Sequence, residues 1–183
     1  PQTNHVVHDM GKPVMKTTDE NGRDHFKGHA IASEQIAKTV MKRLKFDNDT
    51  IRKVTKLVAY HDYRMEPTGA NVRRAMHEIG VELFPYYLAV RLADTKAQSS
   101  YERRGKLENI IQIRELYTKC AAKQEMCDIK DLAVTGTDLI NLGIAPGKEL
   151  GTLLNELLDM VIEDPAWNQK GKLCDYVKER FGF

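Results

Sequence analysis

Imidazoles and carboxylates recur along this sequence at places where helices begin, end or turn a face inward: His8-Asp9-x-Gly11-Lys12, then His29, then His61-Asp62, then Asp94. Without thiolates beside them, they form the nitrogen and oxygen ligand set that suits Mn, Mg, Ni, Fe or Zn in five or six coordination. Neighbouring residues on a helix diverge by about 100°. His8 and Asp9 therefore reach one ion beside a helix terminus only if other ligands approach from other helices, and Asp94, His29 and His61 are the available partners. A divalent metal held this way lowers the pKa of a bound water and clamps a phosphoryl oxygen for in-line attack.

The motifs differ in how much they say alone. Six His and 13 Asp in 183 residues give about 0.4 His-Asp pairs by chance, so the two pairs present carry little by themselves. His29 at a helix start reads equally as a cap, and His61 beside an apolar stripe as a core histidine with one satisfied nitrogen. Asp94 lies in Leu92-Ala93-Asp94, on the apolar side of its helix. An unpaired carboxylate there costs several kcal/mol, and a metal is the best partner on offer.

The elements that must position these groups are nearly all helices. Residues 1 to 10 read as the last turns of a helix, with Val6, Val7 and Met10 apolar, stopped by Gly11 and Pro13. Thr17-Thr18 leading into Asp19-Glu20-Asn21-Gly22 reads as a β-hairpin, because Asn-Gly tolerates positive φ at both turn centres. After Gly28 the apolar period becomes helical: Ile31, Ile36, Val40 and Leu44; then Ile51, Val54, Leu57 and Val58 behind an Asp47 cap; then helices over 68–79, 82–98 and about 101–125. Asp128 to Asn141 reads as a connection and a short helix. Pro146 suits the first position of an amphipathic helix that runs to Glu163, and a last helix spans roughly 169–180.

Composition bounds the class. Hydrophobic residues at 42% and charged residues at 30% describe a globular chain with one core, or two small ones, and exclude extensive disorder. Net charge is only +2, so nucleic-acid contact would need a local basic face. Cys120, Cys127 and Cys174 lack C-x-x-C spacing, which points to a reducing, cytoplasmic compartment. No apolar run approaches a membrane span, and no membrane partner is expected. The first motif arrives by His8, before a helix of normal length could form, as in a piece of a longer chain.

The strings His8-Asp9-Met10-Gly11-Lys12-Pro13, Thr17-Thr18-Asp19-Glu20-Asn21-Gly22, Asp24-His25-Phe26-x-Gly28-His29-Ala30, His61-Asp62 and Ala93-Asp94-x-x-Ala97-Gln98 resemble the HD-domain superfamily. More narrowly they resemble the HD-containing region of bacterial tRNA nucleotidyltransferases, the CCA-adding enzymes, and Asn71-Val72-Arg73-Arg74 to Gly80 fits the same pattern. Ile129-Lys130-Asp131-Leu132, Thr135-Gly136, Leu142-Gly143-Ile144-x-Pro146-Gly147 and Glu163-Asp164-Pro165 are similar to the small C-terminal RNA-binding region of those enzymes.

The resemblance implies a mainly α fold: an HD-domain helical bundle with one short β-hairpin over residues 1–126, and a small helical RNA-binding appendage over 127–183. It implies that His8, Asp9 and Asp94 hold a first metal, that His29 and His61 match second-metal positions, and that Asp9 and Lys12 are catalytic, Lys12 steadying a substrate phosphate. The implied substrates are phosphomonoesters or 2',3'-cyclic phosphodiesters at RNA ends. The alternative is a non-catalytic body that binds tRNA. Family members carry a further His a few tens of residues before the pair, a position this sequence starts too late to include, and an N-terminal nucleotidyltransferase head whose Gly-Ser motif and paired aspartates are not found here.

Two features bear on RNA directly. The turn at Pro146 and Gly147 offers backbone N–H groups at a helix start, a phosphate site or an ordinary interhelical turn. Arg73, Arg74, Arg103 and Arg104 are short basic clusters that could supplement it or be a solvated face.

Overall fold

In the computed structural model, residues 8–97, 103–123, 125 and 128–182 are described. Val6, Val7, Gln98, Tyr101 and Cys127, which figure in the readings above, lie outside them. Among the described residues the chain is mainly α, with one two-stranded hairpin. The α-helices are α1 (Lys12–Met15), α2 (His29–Arg43), α3 (Asn48–Tyr60), α4 (Gly69–Ile79), α5 (Phe84–Ala97), α6 (Arg103–Ala122), α7 (Gly136–Asn141), α8 (Lys148–Glu163) and α9 (Lys170–Phe181). None is long and apolar enough to cross a membrane.

The chain divides into two compact units, Pro1–Met65 with Ile79–Ile111, and Glu66–Glu78 with Gln112–Phe183. The first is organised by α2 against α3. Ala37, Met41 and Val58 are buried to 1% exposure or less, and Val54 packs against Ala37 and Val58. Asp47 starts α3 by accepting from the Thr50 amide at 2.8 Å and the Thr50 hydroxyl at 2.6 Å. That cap fixes where α3 begins, and its far end delivers His61.

The hairpin pairs Thr17 with His25 and Thr18 with Asp24. Its loop differs from the expected Asn-Gly turn, since Gly22 has φ 75° whereas Asn21 stays out of the left-handed region. The Asp19 carboxylate takes over instead, accepting from the amides of Asn21 and Arg23 at 2.9 Å each, so an Asx-type loop closes the strands. The helix expected to end at Gly11 lies mostly outside the described residues; residues 8–11 form a turn, and a new helix starts at Lys12. Pro13 enters the first turn of α1, where its missing N–H costs nothing.

The second unit has its own core, in which Leu139, Leu157, Val161, Leu173 and Val177 are fully buried. α7 opens on a reciprocal capping box between Thr135 and Asp138. Lys170 Nζ lies 2.6 Å from the same Asp138 carboxylate, and these partners hold its pKa down to about 2. α8 begins at Lys148 with Gly147 as its N-cap, so Pro146 precedes the helix rather than occupying its first position.

Arg73 corrects a sequence expectation. Its side chain is 7% exposed, donating from Nε to the Ile162 carbonyl at 2.7 Å, from NH2 to the Glu163 carbonyl at 3.0 Å and from NH1 to Glu125 Oε2 at 2.7 Å. It closes the C-terminal end of α8 and has no free donor face for a phosphate. Arg74, 42% exposed, has the Glu163 carboxylate at 3.5 Å as its ion-pair partner among the described residues.

Arg73→Ala is expected to cost the second unit about 3–5 kcal/mol, because it strands the Glu125 carboxylate and two carbonyls. Arg74→Ala is expected to stay within about 0.5 kcal/mol. Urea unfolding followed through Trp167, the chain's single tryptophan, measures both. Asp138 titrates well below an unfolded carboxyl, so its contribution is complete above the ordinary carboxylate range and is lost as pH falls toward about 2. An Asp138→Asn variant should lack that acid-dependent loss in the same assay.

Candidate metal centre

Gly11 determines how the site is assembled. A Cβ built on it would lie 2.4 Å from the His29 carbonyl oxygen, 2.6 Å from the Ser33 amide nitrogen and 2.9 Å from the Ala32 Cβ. Only glycine lets this backbone rest on the first turn of α2. The contact is fastened by the Gly11 amide donating to the buried Ser33 hydroxyl at 2.8 Å. His8 and Asp9 are thereby carried beside His29, and the α2–α3 pairing brings in His61 from the end of α3.

Asp9 is the hub. Its Oδ1 is 3.7 Å from His29 Nε2 and 3.6 Å from His61 Nε2. Its Oδ2 is 3.3 Å from His8 Nε2 and 2.7 Å from Lys12 Nζ. Asp94, from α5, has Oδ1 4.0 Å from His8 Nε2. The sequence expected Asp94 to be sequestered on an apolar face, but its carboxylate is 29% exposed and opens onto a cleft of about 580 Å3 that also holds Asp9, Lys12, His29 and His61.

The hydrogen bonding fixes which atoms are free. His29 Nδ1 lies 2.8 Å from the Phe26 carbonyl and His61 Nδ1 2.7 Å from the Val58 carbonyl. A carbonyl only accepts, so in each neutral ring Nδ1 carries the proton and Nε2 keeps its lone pair. Those two Nε2 atoms are 3.2 Å apart. Asp9 Oδ1, buried and without a hydrogen-bond partner, faces them both. Three acceptors thus converge with no donor among them.

Protonation offers a poor way out at His61, which is 4% exposed. Burial lowers its pKa, the Val58 carbonyl works in the opposite direction, and His8 and His29 lower it further. Partial burial works to raise the Asp9 pKa, but the Lys12 hydrogen bond and the charges of His8, Lys12 and His61 outweigh it, so the carboxyl stays below its ordinary value. A neutral imidazole beside an ionised carboxylate is the state that ligates a cation.

Asp9, His29 and His61 offer ligand atoms that all lie within 4.8 Å of one another, which fits a small divalent ion. The carbonyls behind the two imidazoles are the outer partners that metal-ligating histidines characteristically use. The sequence separated a first metal at His8, Asp9 and Asp94 from a second at His29 and His61. The structure gathers His8, His29 and His61 about the Asp9 carboxylate, and Asp94 approaches that group only at His8, 4.0 Å away.

Sequence reasoning missed Ser33 and Arg64. Ser33 sits one helical turn beyond His29, a spacing that could have revealed it; Arg64 lines the cleft from the segment after α3 and left no periodic signal. Among the described residues, none of the RNA-contact candidates lines the Asp9 cleft. Pro146 and Gly147 are exposed, and α8 starts without a side-chain cap. Arg104 is exposed and pairs with Glu108 at 2.9 Å, while Arg103 is half-buried.

Residues 29–177 match the family model described as tRNA nucleotidyltransferase domain 2. His8, Asp9 and Lys12 precede the matched segment. The chain is similar to a CC-adding tRNA nucleotidyltransferase of Thermus thermophilus, 26% identical over 164 residues, an alignment covering 86% of this chain and 35% of the relative. It spans about a third of that relative's length. No solved structure matches.

Gly11→Ala is expected to weaken uptake of Mn or Zn by about tenfold or more, the usual effect of disturbing the support behind a ligand. Gly105→Ala, which meets open space, should leave it unchanged; equilibrium dialysis with metal analysis reads both. Because the folded His61 pKa lies below that of an unfolded histidine, about 6.5, the unfolded chain binds the extra proton first. Metal-free stability should therefore fall as pH drops below about 6.5, and His61→Asn should flatten that dependence in urea midpoints taken at pH 7.5 and 5.5.

Proposed function

The chain belongs to the tRNA nucleotidyltransferase domain 2 family, and on that premise we propose that it is an HD-type, metal-dependent phosphohydrolase module acting on phosphomonoesters or 2',3'-cyclic phosphodiesters at RNA ends. The observation that carries this reading is the convergence of Asp9 Oδ1, His29 Nε2 and His61 Nε2 without a donor. A divalent cation held there, with His8 and Asp94 beside it, would supply Lewis acidity to water and to a phosphoryl oxygen.

The chain's own residues do the remainder. Lys12 Nζ, held 2.7 Å from Asp9 Oδ2 and 40% exposed, keeps donors directed at the cleft for the non-bridging oxygens of a phosphate. His8, between the Asp9 and Asp94 carboxylates, is placed to take or return a proton at its Nε2. The Phe26 and Val58 carbonyls hold His29 and His61 in one tautomer, so neither ring rotates away when a substrate enters. The relatives and the sparse cysteines support a cytoplasmic setting and an N-terminal nucleotidyltransferase domain as partner within a longer chain.

A second reading has its own support. The family description concerns a tRNA enzyme and its match starts after His8 and Asp9, which favours a body that binds tRNA and does no chemistry. In it, the uncapped start of α8 at Pro146 and Gly147 meets phosphates, with Arg74, Arg103 and Arg104 as supplementary cations, and Arg73 is excluded by its internal bonds.

Hydrolysis of p-nitrophenyl phosphate or 2',3'-cyclic AMP is expected to require added divalent metal and to fall about a hundredfold or more in Asp9→Asn. Full turnover in chelator contradicts the hydrolase reading. For tRNA, a fluorescence titration across a salt series should give a log-log slope of about two to four. Equal affinity for tRNA and an unrelated polyanion such as heparin contradicts the binding-body reading.

A further inference from the structure

The first unit contains a second cavity, of about 440 Å3, lined by Arg64, Met65, Arg91, Gly105, Lys106 and Asn109. No acidic side chain contributes to it. Arg91 is its unusual member. The side chain is 8% exposed, yet its hydrogen bonding among the described residues is a single contact, NH1 to Tyr87 Oη at 3.2 Å. Tyr87 supplies no negative charge, because its hydroxyl donates to the Tyr63 carbonyl at 2.7 Å and burial raises its pKa. Its ring adds only a cation–π contact, 5.9 Å from the Arg91 Cζ.

Arg73 shows how this fold treats the other guanidinium buried among the described residues: one carboxylate and two carbonyls satisfy it within the second unit. Arg91 has neither kind of partner. The remaining guanidinium donors are not sealed from water, so an anion entering the cavity can complete them, and the planar fork matches a phosphate. Arg64, whose Nε and NH2 reach Asp62 Oδ1 at 3.2 and 3.0 Å, lines this cavity and also the cleft of the metal cluster.

We propose that Arg91, with Arg64 and Lys106 at the walls, forms a phosphate-binding subsite that takes a backbone phosphate of a ribonucleotide strand next to the one presented to the Asp9 cleft. Assigning the phosphate to RNA rests on the family reading above; the anion site itself does not. Met65 and the aliphatic stems of the basic residues offer the apolar wall on which a sugar or base edge adjoining that phosphate can lie.

The test uses the whole chain in chelator, so that the metal cluster takes no part and failure of the hydrolase reading leaves the outcome untouched. Inorganic phosphate is titrated against the Arg Nε–H resonances, and a fluorescein-labelled ten-residue oligoribonucleotide is titrated by anisotropy. The proposal expects phosphate to shift the Arg91 resonance. It also expects Arg91→Met and Arg64→Gln each to weaken oligoribonucleotide binding by about tenfold or more, the effect of losing a charge-assisted contact, with Arg43→Gln within about twofold. Unchanged oligoribonucleotide affinity in Arg64→Gln and Lys106→Gln overturns the proposal even if Arg91→Met fails to fold. A phosphate shift at Arg91 without any loss of strand affinity overturns the RNA assignment, and no shift with no loss overturns the subsite.

Discussion

Three lone pairs directed at one another are the constraint around which the first unit is built. Asp9 Oδ1, His29 Nε2 and His61 Nε2 can be this close only because the surrounding backbone compels it: the Phe26 and Val58 carbonyls fix both rings, and Gly11 lies against the first turn of α2. Left alone, such a cluster is a net loss, since each buried acceptor forfeits its water and gains no donor. A cation turns that loss into coordination. The α2–α3 packing thus does more than bury Ala37 and Val58; it supplies the rigidity that keeps mutually repelling groups in place.

That dependence explains what could and could not be read from the sequence. Helices α3, α5 and α8 were legible because their apolar residues recur at helical period, and the His-Asp pairs, Asp94 and Lys12 were legible as ligand types; α2 was placed rightly, but Ile31 and Leu44 of its expected stripe are exposed. Gly11 was read as a stop because a breaker beside proline looks alike whether it ends a helix or lets two backbones touch. Asn21 was assigned a left-handed conformation that Asp19 makes unnecessary by capping the loop with its side chain. Arg73 and Arg74 are neighbours with the same charge, and nothing local tells that one is buried against the end of α8 and the other is not. Partners 50 to 90 positions away decide such cases, as the Arg73 bonds to Glu125, Ile162 and Glu163 show.

The division of the chain into two units is not linear along the sequence. α4 residues up to Glu78 belong with the C-terminal helices, while Ile79 onward returns to the unit that contains Asp94. The catalytic reading concerns the first unit and the α8 turn concerns the second, so the two functions proposed for this family member rest on separate cores. Arg91 and Arg64 add an RNA-facing feature to the first unit, where the hydrolase reading would need one. The readings differ at Asp9: chemistry needs its carboxylate, whereas a binding body does not.

The most direct measurement is therefore of the proton positions in the cluster. Nitrogen-15 histidine NMR of the metal-free chain at pH 7.5 distinguishes a protonated from an unprotonated ring nitrogen at His29 and His61. The account predicts Nδ1–H and bare Nε2 in both rings, with both Nε2 resonances moving together when one equivalent of Zn is added and neither moving in Asp9→Asn. A protonated Nε2 in either ring, or Zn binding that leaves those resonances in place, would contradict the metal centre on which the account rests.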